Sequence, residues 1–225
     1  MSIKLKVLQP QELKKMMKNG DMRVPNESKY IHIRENNKTE WNVLDTVLGC
    51  NMGCPSCYAR SSTHILMRGI DFETPVPQIL NKKRLAGDLD KIRRQDGPNW
   101  VRNGVMGDPA YDWELAIETA RIISEQGFYN VIMTKMPVLP TAGQLLRLSA
   151  YNTVLHLGLV VGFNISTQPE WERKVELMRM YQTWAGYDYA ILRVGTFAFD
   201  QTNTDGAELA AEQKAWINMG FKFME

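Results

Sequence analysis

The chain is poor in cysteine and in long apolar segments, and each shortage excludes a class of protein. Its 225 residues include three cysteines and three histidines. An odd number of cysteines, confined to eight consecutive positions, is a poor disulfide framework. No apolar run reaches the roughly 18 to 20 residues of a membrane-spanning helix, and the first residues lack the apolar stretch of a signal peptide. The sequence therefore predicts a cytoplasmic protein with no membrane partner.

The chain also lacks a strong excess of charge of one sign. The formal net charge of +2 is too small to indicate a nucleic-acid partner, and it does not exclude one. Basic clusters at positions 82–84 and 93–94 are typical of solvated helix faces. An anionic substrate is the partner they would suit if they lined an entrance.

Short apolar runs alternate with helical stretches from residue 41 onward. Repeated strand–helix units predict an α/β fold with a parallel sheet and right-handed crossovers. We expect a partial (β/α)6 TIM-like barrel with an open side over residues 41–225, after an N-terminal extension over 1–40. A doubly wound sheet would give the same pattern. The predicted strands are 41–48, 100–106, 129–133, 153–161, 187–197 and 221–223, and the predicted helices are 11–18, 77–94, 113–126, 142–150, 170–184 and 206–217.

The three cysteines form the motif Cys50-x-x-x-Cys54-x-x-Cys57 directly after the first of these strands. Thiolates are the usual ligands of iron–sulfur clusters, and three of them can hold three irons of a [4Fe–4S] cubane while the fourth iron stays open. Gly49 and Gly53 allow the backbone to wrap around a bulky group. In parallel α/β folds the functional site lies at the carboxyl ends of the strands, which is where this loop is predicted to lie.

This motif, in the loop after the first strand of an α/β barrel, resembles the signature of radical S-adenosylmethionine (SAM) enzymes. The position before the last cysteine, commonly aromatic in that family, is Ser56 here, and Tyr58 follows as the alternative aromatic cover. The Cys57-Tyr58-Ala59 ending looks like that of spore photoproduct lyase relatives and of a phage-associated radical SAM-like family.

The resemblance implies two cofactors, a [4Fe–4S] cluster on the three cysteines and SAM. It also implies the reaction: SAM is cleaved reductively to a 5′-deoxyadenosyl radical, which abstracts hydrogen from an unidentified substrate. An electron donor such as a flavodoxin or ferredoxin is expected. No fourth cysteine is present to donate hydrogen as in the lyase, which leaves Tyr111 or Tyr151 as substitutes. A large substrate or a second subunit is expected to cover the open side.

Polar residues after the second and third predicted strands are candidates for SAM binding. Gly107 and Asp108 occupy the place where the resemblance implies a Gly-Gly-Glu-like segment for the methionine amino group. The alternative for Asp108 is a turn that caps the next helix. Lys135 would be a point charge for the SAM carboxylate, and its alternative is a solvated lysine at a strand end.

Polar residues after the fourth strand and within the fifth complete the predicted SAM site. Asn164 and Ser166 alternate with apolar neighbours, so both can face one pocket, or they form a polar turn into the next helix. Arg193 lies inside an apolar run and must be paired there, either with a carboxylate of SAM or substrate or with a protein carboxylate.

Other interpretations of the cysteines remain open. Zinc held by the three thiols and His64 would make a zinc-stabilised nucleic-acid or protein binding module. A SAM-binding protein with a degenerate cluster site and no radical chemistry is a further alternative. Buried apolar thiols without any ligand are the simplest one.

Overall fold

The computed structural model describes residues 30–36, 41–54, 57, 59–60, 72–160, 168–195 and 204–224. Strands and helices alternate along this part of the chain, and short 3-10 helices lie at Pro109–Tyr111 and Tyr187–Tyr189. The strands are β1 (Arg34–Asn36), β2 (Trp41–Leu44), β3 (Val47–Leu48), β4 (Val76–Pro77), β5 (Trp100–Asn103), β6 (Tyr129–Thr134), β7 (Thr153–Val160), β8 (Ala190–Gly195) and β9 (Lys222–Met224). The helices are α1 (Lys82–Arg94), α2 (Trp113–Glu125), α3 (Ala142–Ser149), α4 (Gln168–Ala185) and α5 (Thr204–Ile217).

Seven of these strands form one sheet in the order β1-β2-β5-β6-β7-β8-β9. β1 runs antiparallel to β2, and every other neighbouring pair is parallel. The parallel strands follow chain order without reversal, so the described sheet contains no switch point of the doubly wound kind. The predicted α/β class with a parallel sheet is confirmed. The described strands form an open sheet edged by β1 and β9, and no closed barrel is present among them.

The apolar residues of the strands and helices meet on one face of the sheet. Val101, Ile132, Leu155 and Leu192 are at most 1% exposed and belong to the buried core. Their registers place them on the same face, because paired residues of parallel strands point to the same side. The helices cover this face. The residues that alternate with these along each strand point to the other face.

Polar caps explain where several helices begin. Asn81 accepts a hydrogen bond from Arg84 N and starts α1, and Asp112 does the same for α2 through Leu115 N. Thr141 forms a capping box at α3. Of the helices described above, none combines the length and apolar character that crossing a membrane requires.

The first predicted strand, 41–48, is wrong as one continuous element. The chain breaks between β2 and β3 because Asp45 and Thr46 turn inward. Thr46 N donates to Asn103 Oδ1 at the end of β5, at 3.1 Å, and Asp45 Oδ1 accepts from Val105 N in the segment after β5. The predicted helix at 77–94 begins only at Lys82, since Val76–Pro77 pairs with β3 instead.

Part of the predicted N-terminal extension belongs to the same sheet. β1 lies within residues 1–40 and pairs with β2. Ile31 is 1% exposed and lies in the core cluster that contains Leu44 and Leu85. The helix predicted at 11–18 lies outside the described residues.

Candidate functional site

A cavity of about 290 Å³ opens at the carboxyl end of the parallel sheet. It brings together residues that are far apart in the sequence, from the cysteine loop, the ends of β5 and β6, and the strands β7 and β8. Its described lining residues that carry chemistry are Cys50, Cys54, Cys57, Arg102, Asp108, Lys135, His156 and Arg193.

Backbone hydrogen bonds hold the start of the cysteine loop against two neighbouring segments. Gly49 N donates to Met106 O at 3.0 Å, and Cys50 N donates to Phe72 O at 2.6 Å. Gly49 has a φ of +85°, and a Cβ there would lie 2.7 Å from Phe72 O. Only glycine is unstrained in that conformation and that space.

Gly107 is the closest point between the cysteine loop and the segment after β5. It forms an isolated parallel bridge with Gly49. A Cβ at Gly107 would lie 2.2 Å from Val47 O, nearer than any real Cβ contact. The missing side chain therefore lets Cys50 come close to the Gly107–Asp108 turn.

The buried carboxylate of Asp45 also connects the segment before the cysteine loop to the segment after β5. Asp45 Oδ1 accepts hydrogen bonds from Val105 N and Met106 N, both at 2.7 Å. Asp45 also forms an ion pair with Arg34, and its side chain is 2% exposed. Burial raises the pKa of Asp45, while Arg34 and the two backbone donors oppose that rise. No local pattern marks Asp45 as a site residue, because the two amides that it binds lie 60 and 61 positions later in the chain.

The thiols lie in partly apolar surroundings. Burial raises the pKa of Cys50 and of Cys54, and the charge of Lys135 opposes the rise at Cys54. The Tyr111 hydroxyl lies 3.8 Å from Cys50 Sγ and accepts a hydrogen bond from Asn51 N at 3.1 Å. Within the described residues, no three side chains of the metal-ligating kinds converge on a single point as a mononuclear site would require.

Asp108 caps the 3-10 helix Pro109–Tyr111, and a cap is the alternative role that the sequence predicts for it. Its Oδ1 accepts from Ala110 N at 3.0 Å and from Thr134 Oγ1 at 2.6 Å, and its Oδ2 accepts from Lys135 N at 2.8 Å. Burial raises the pKa of Asp108, and these hydrogen bonds oppose the rise. Because an ionised carboxylate offers about four acceptor sites, Oδ2 keeps capacity for a further donor at the cavity wall.

Lys135 reaches into the cavity rather than into solvent. Its Nζ lies 3.4 Å from Gly158 O. Burial lowers the pKa of Lys135, and the nearby thiols and Asp108 oppose the change. The ammonium group therefore lies between the cysteine loop and β7.

Two basic side chains that sequence analysis did not select also line the cavity. Arg102 on β5 and His156 on β7 face it together with the predicted Arg193 on β8. Their signal was present, since each interrupts an apolar strand with a polar residue. The pattern could not show that all three belong to one face.

The structure gathers seven predicted site residues around one cavity. The gathered residues are Cys50, Cys54, Cys57, Gly107, Asp108, Lys135 and Arg193. The remaining predicted residues, Tyr58, Asn164, Ser166 and the zinc candidate His64, lie outside the described part of the chain. Tyr151, a suggested hydrogen donor, precedes the amino end of β7 and packs against the helix-side core, so its placement does not suit that role.

Comparison with known protein families, with curated proteins and with solved structures gives no significant match. Any assignment of function therefore rests on the cysteine motif and on the geometry of the cavity.

Proposed function

We propose that this chain is a radical SAM enzyme whose Cys50, Cys54 and Cys57 hold a [4Fe–4S] cluster. The observation that carries the proposal is the position of the three thiols. They lie on the loop after the first strands and line a cavity at the carboxyl end of a parallel sheet. Sites of parallel α/β enzymes are built at this end.

The strand order supports a partial (β/α)6 barrel as the scaffold. Six strands, β2 and β5 to β9, run parallel in chain order, and right-handed crossovers between successive strands place their helices on one face. Such a sheet leaves its second face free to form the inner wall of an open barrel. The cavity lies on that second face, with Arg102, Met133, His156 and Arg193 pointing into it.

The donor set fits the cluster. A cubane distributes its thiolates over three different irons, so the sulfur atoms do not have to meet at one point. The glycines at 49 and 107 bring the cysteine loop close to the cavity wall without side-chain bulk. The three thiols are the chain's full complement of cysteines, which leaves the fourth iron for SAM.

The cavity wall beside the thiols fits the polar end of SAM. Lys135 would receive the carboxylate, because its buried ammonium group lies next to the thiols. Asp108 would accept a hydrogen bond from the amino group through the remaining capacity of Oδ2. When bound, the cluster supplies the electron that cleaves SAM to methionine and a 5′-deoxyadenosyl radical, which takes hydrogen from the substrate. A one-electron donor of the flavodoxin or ferredoxin class would reduce it.

The test is anaerobic reconstitution with iron and sulfide, followed by an iron count, an absorbance spectrum and electron paramagnetic resonance of the dithionite-reduced protein. We expect about four irons per chain, a reduced-cluster signal that changes on addition of SAM, and formation of 5′-deoxyadenosine. Cys54→Ser should lose the cluster, whereas the control Met52→Ala, on the same loop, should keep it.

The alternatives give different results in the same experiment. A colourless protein with one zinc per chain would replace the proposal with the binding module. A protein that binds SAM but forms no 5′-deoxyadenosine under reduction would be a SAM-binding protein without radical chemistry.

A further inference from the structure

Three basic side chains, on β5, β7 and β8, lie on the face of the sheet that borders the cavity. Arg102 pairs with Val131, Met133 pairs with His156, and Gly158 pairs with Arg193. Since paired residues, and residues two apart on a strand, point to the same side, Arg102, His156 and Arg193 all lie on this face. They form a diagonal row from the middle of β5 to the upper part of β8. We call this row the basic floor.

The side chains of the basic floor lie close to one another. The Nη1 atom of Arg193 lies 3.8 Å from Met133 Sδ, so the guanidinium reaches back across β7 to the level of His156. Burial, followed by the charges of Arg193 and Arg102, lowers the pKa of His156 to about 4. The imidazole is therefore neutral at pH 7 and lies within reach of both guanidinium charges.

His156 brings a buried ring nitrogen without a partner to the basic floor. The residue is 7% exposed and lines the cavity, yet its Nδ1 has no hydrogen-bond partner among the described residues. A buried polar nitrogen without a partner carries a desolvation cost. A ligand that bonds to the other ring nitrogen would hold the imidazole in a defined orientation.

The described lining of the cavity has an excess of positive charge at this floor. Asp108 is its one acidic side chain, and both of its oxygens already accept hydrogen bonds from the protein. The Nζ atom of Lys135 lies 3.4 Å from Gly158 O, and its charge acts on the thiols and on Asp108. Arg102 and Arg193 thus concentrate positive charge on this floor.

We propose that the basic floor binds an anionic group of the substrate, a phosphate or a carboxylate, with Arg193 and Arg102 supplying charge and His156 a hydrogen bond. Guanidinium groups match both anions through paired N–H donors. The substrate assignment rests on the proposed function, but the anion site itself does not. The enzyme would thus act on a small acid or a phosphorylated compound, held by its anionic end on the basic floor.

The site is tested on the full chain without cluster. The chain is titrated calorimetrically with inorganic phosphate and with succinate at pH 7, in a buffer that contains no competing multivalent anion. We expect saturable binding of at least one of the two anions. Arg193→Gln should weaken it about tenfold, the effect of losing one charge-assisted hydrogen bond, and Arg193→Lys should weaken it less. Arg147→Gln, which removes an exposed arginine paired with Glu114, should bind like the wild type.

A second arm separates the substrate from SAM. In the reconstituted protein, Arg193→Gln should keep the iron content and the SAM-induced change of the reduced-cluster signal. Loss of that change would assign the floor to the SAM carboxylate and overturn the substrate assignment. Absence of binding of both anions, or equal affinities in the wild type, Arg193→Gln and Arg147→Gln, would overturn the site itself. Phosphate or succinate binding, combined with failure of the chain to take up iron and sulfide on reconstitution, would refute the proposed function and leave the anion site standing.

Discussion

At the scale of single residues, the cavity is defined by ionisable groups in unusual surroundings. Asp108 is a carboxyl group whose pKa is raised by burial, and Lys135 and His156 are bases whose pKa values are lowered by burial. Groups with perturbed pKa values cluster at functional sites, because burial and neighbouring charges adjust the pKa of a group to the reaction in which it takes part. Here they face one cavity together with the three thiols.

His156 should make the protein less stable in acid. Its pKa is about 4 in the folded chain and 6.5 when unperturbed, so the unfolded chain binds the proton first as the pH falls. The full stability is present above about pH 6.5 and declines toward pH 4, by about 3 kcal/mol for a shift of this size. His156→Gln should remove this part of the decline, as measured by urea unfolding from pH 7 to pH 4.

His32→Gln is the matched control for this measurement, since His32 is a half-buried histidine that bonds to Tyr30 O. The interpretation fails if the stability difference between the wild type and His156→Gln stays constant over that pH range.

At the scale of elements, the site depends on close packing of backbone between the cysteine loop and the turn after β5. Gly49 N bonds to Met106 O, and Asp45 binds the two amides just before Gly107. The two segments are thus joined by three hydrogen bonds immediately before Gly107. The position of Cys50 at the cavity follows from this junction.

Gly107→Ala should separate these segments. The added Cβ would overlap the carbonyl oxygen of Val47, and because backbone cannot move aside cheaply, the free energy of unfolding should fall by about 3 kcal/mol. Reconstituted iron should fall with it. Both quantities are measured on the same preparation.

Gly87→Ala is the control, because Gly87 lies within α1 and its added Cβ would meet no atom within 4 Å. It should raise the free energy of unfolding by roughly 0.5 to 1 kcal/mol, the usual gain of alanine over glycine in a helix. Equal stabilities of the two variants would show that the contact at Gly107 is not tight.

At the scale of the whole molecule, side chains from positions 50 to 193 lie together at the carboxyl end of the sheet. The cysteine loop follows β3, Lys135 follows β6, and Arg193 lies on β8. Parallel order makes this possible, since the six parallel strands all end at the carboxyl end of the sheet. A ligand that joins several of these segments would stabilise the fold as a unit.

Loading with iron and sulfide should therefore raise the melting temperature. A ligand present at a hundred times its dissociation constant adds about 2.7 kcal/mol, which corresponds to a rise of about 5 to 10 °C for a chain of this size. Anaerobic calorimetry before and after reconstitution measures it. A variant with alanine at all three cysteine positions should show no rise, and an unchanged wild-type melting temperature would contradict a cluster bound to the folded state.

The sequence by itself was sufficient for the α/β class and for most strands and helices, and it predicts the cysteines as a ligand set, which stays a prediction. These features depend on short stretches of sequence. Helical and strand periodicity extends over a few residues, and the cysteine motif spans eight positions. The predicted helix at 113–126 and strand at 129–133 each differ from α2 and β6 by a single residue at one end.

Only the tertiary structure decided which polar residues share the cavity. The inward turn of Asp45 depends on amides 60 positions later, and the common face of Arg102, His156 and Arg193 depends on the register of four parallel strands. A shift of one residue in any of these registers would turn a side chain to the helix-covered face. Register is set by packing of the whole sheet, and no local pattern of residues contains it.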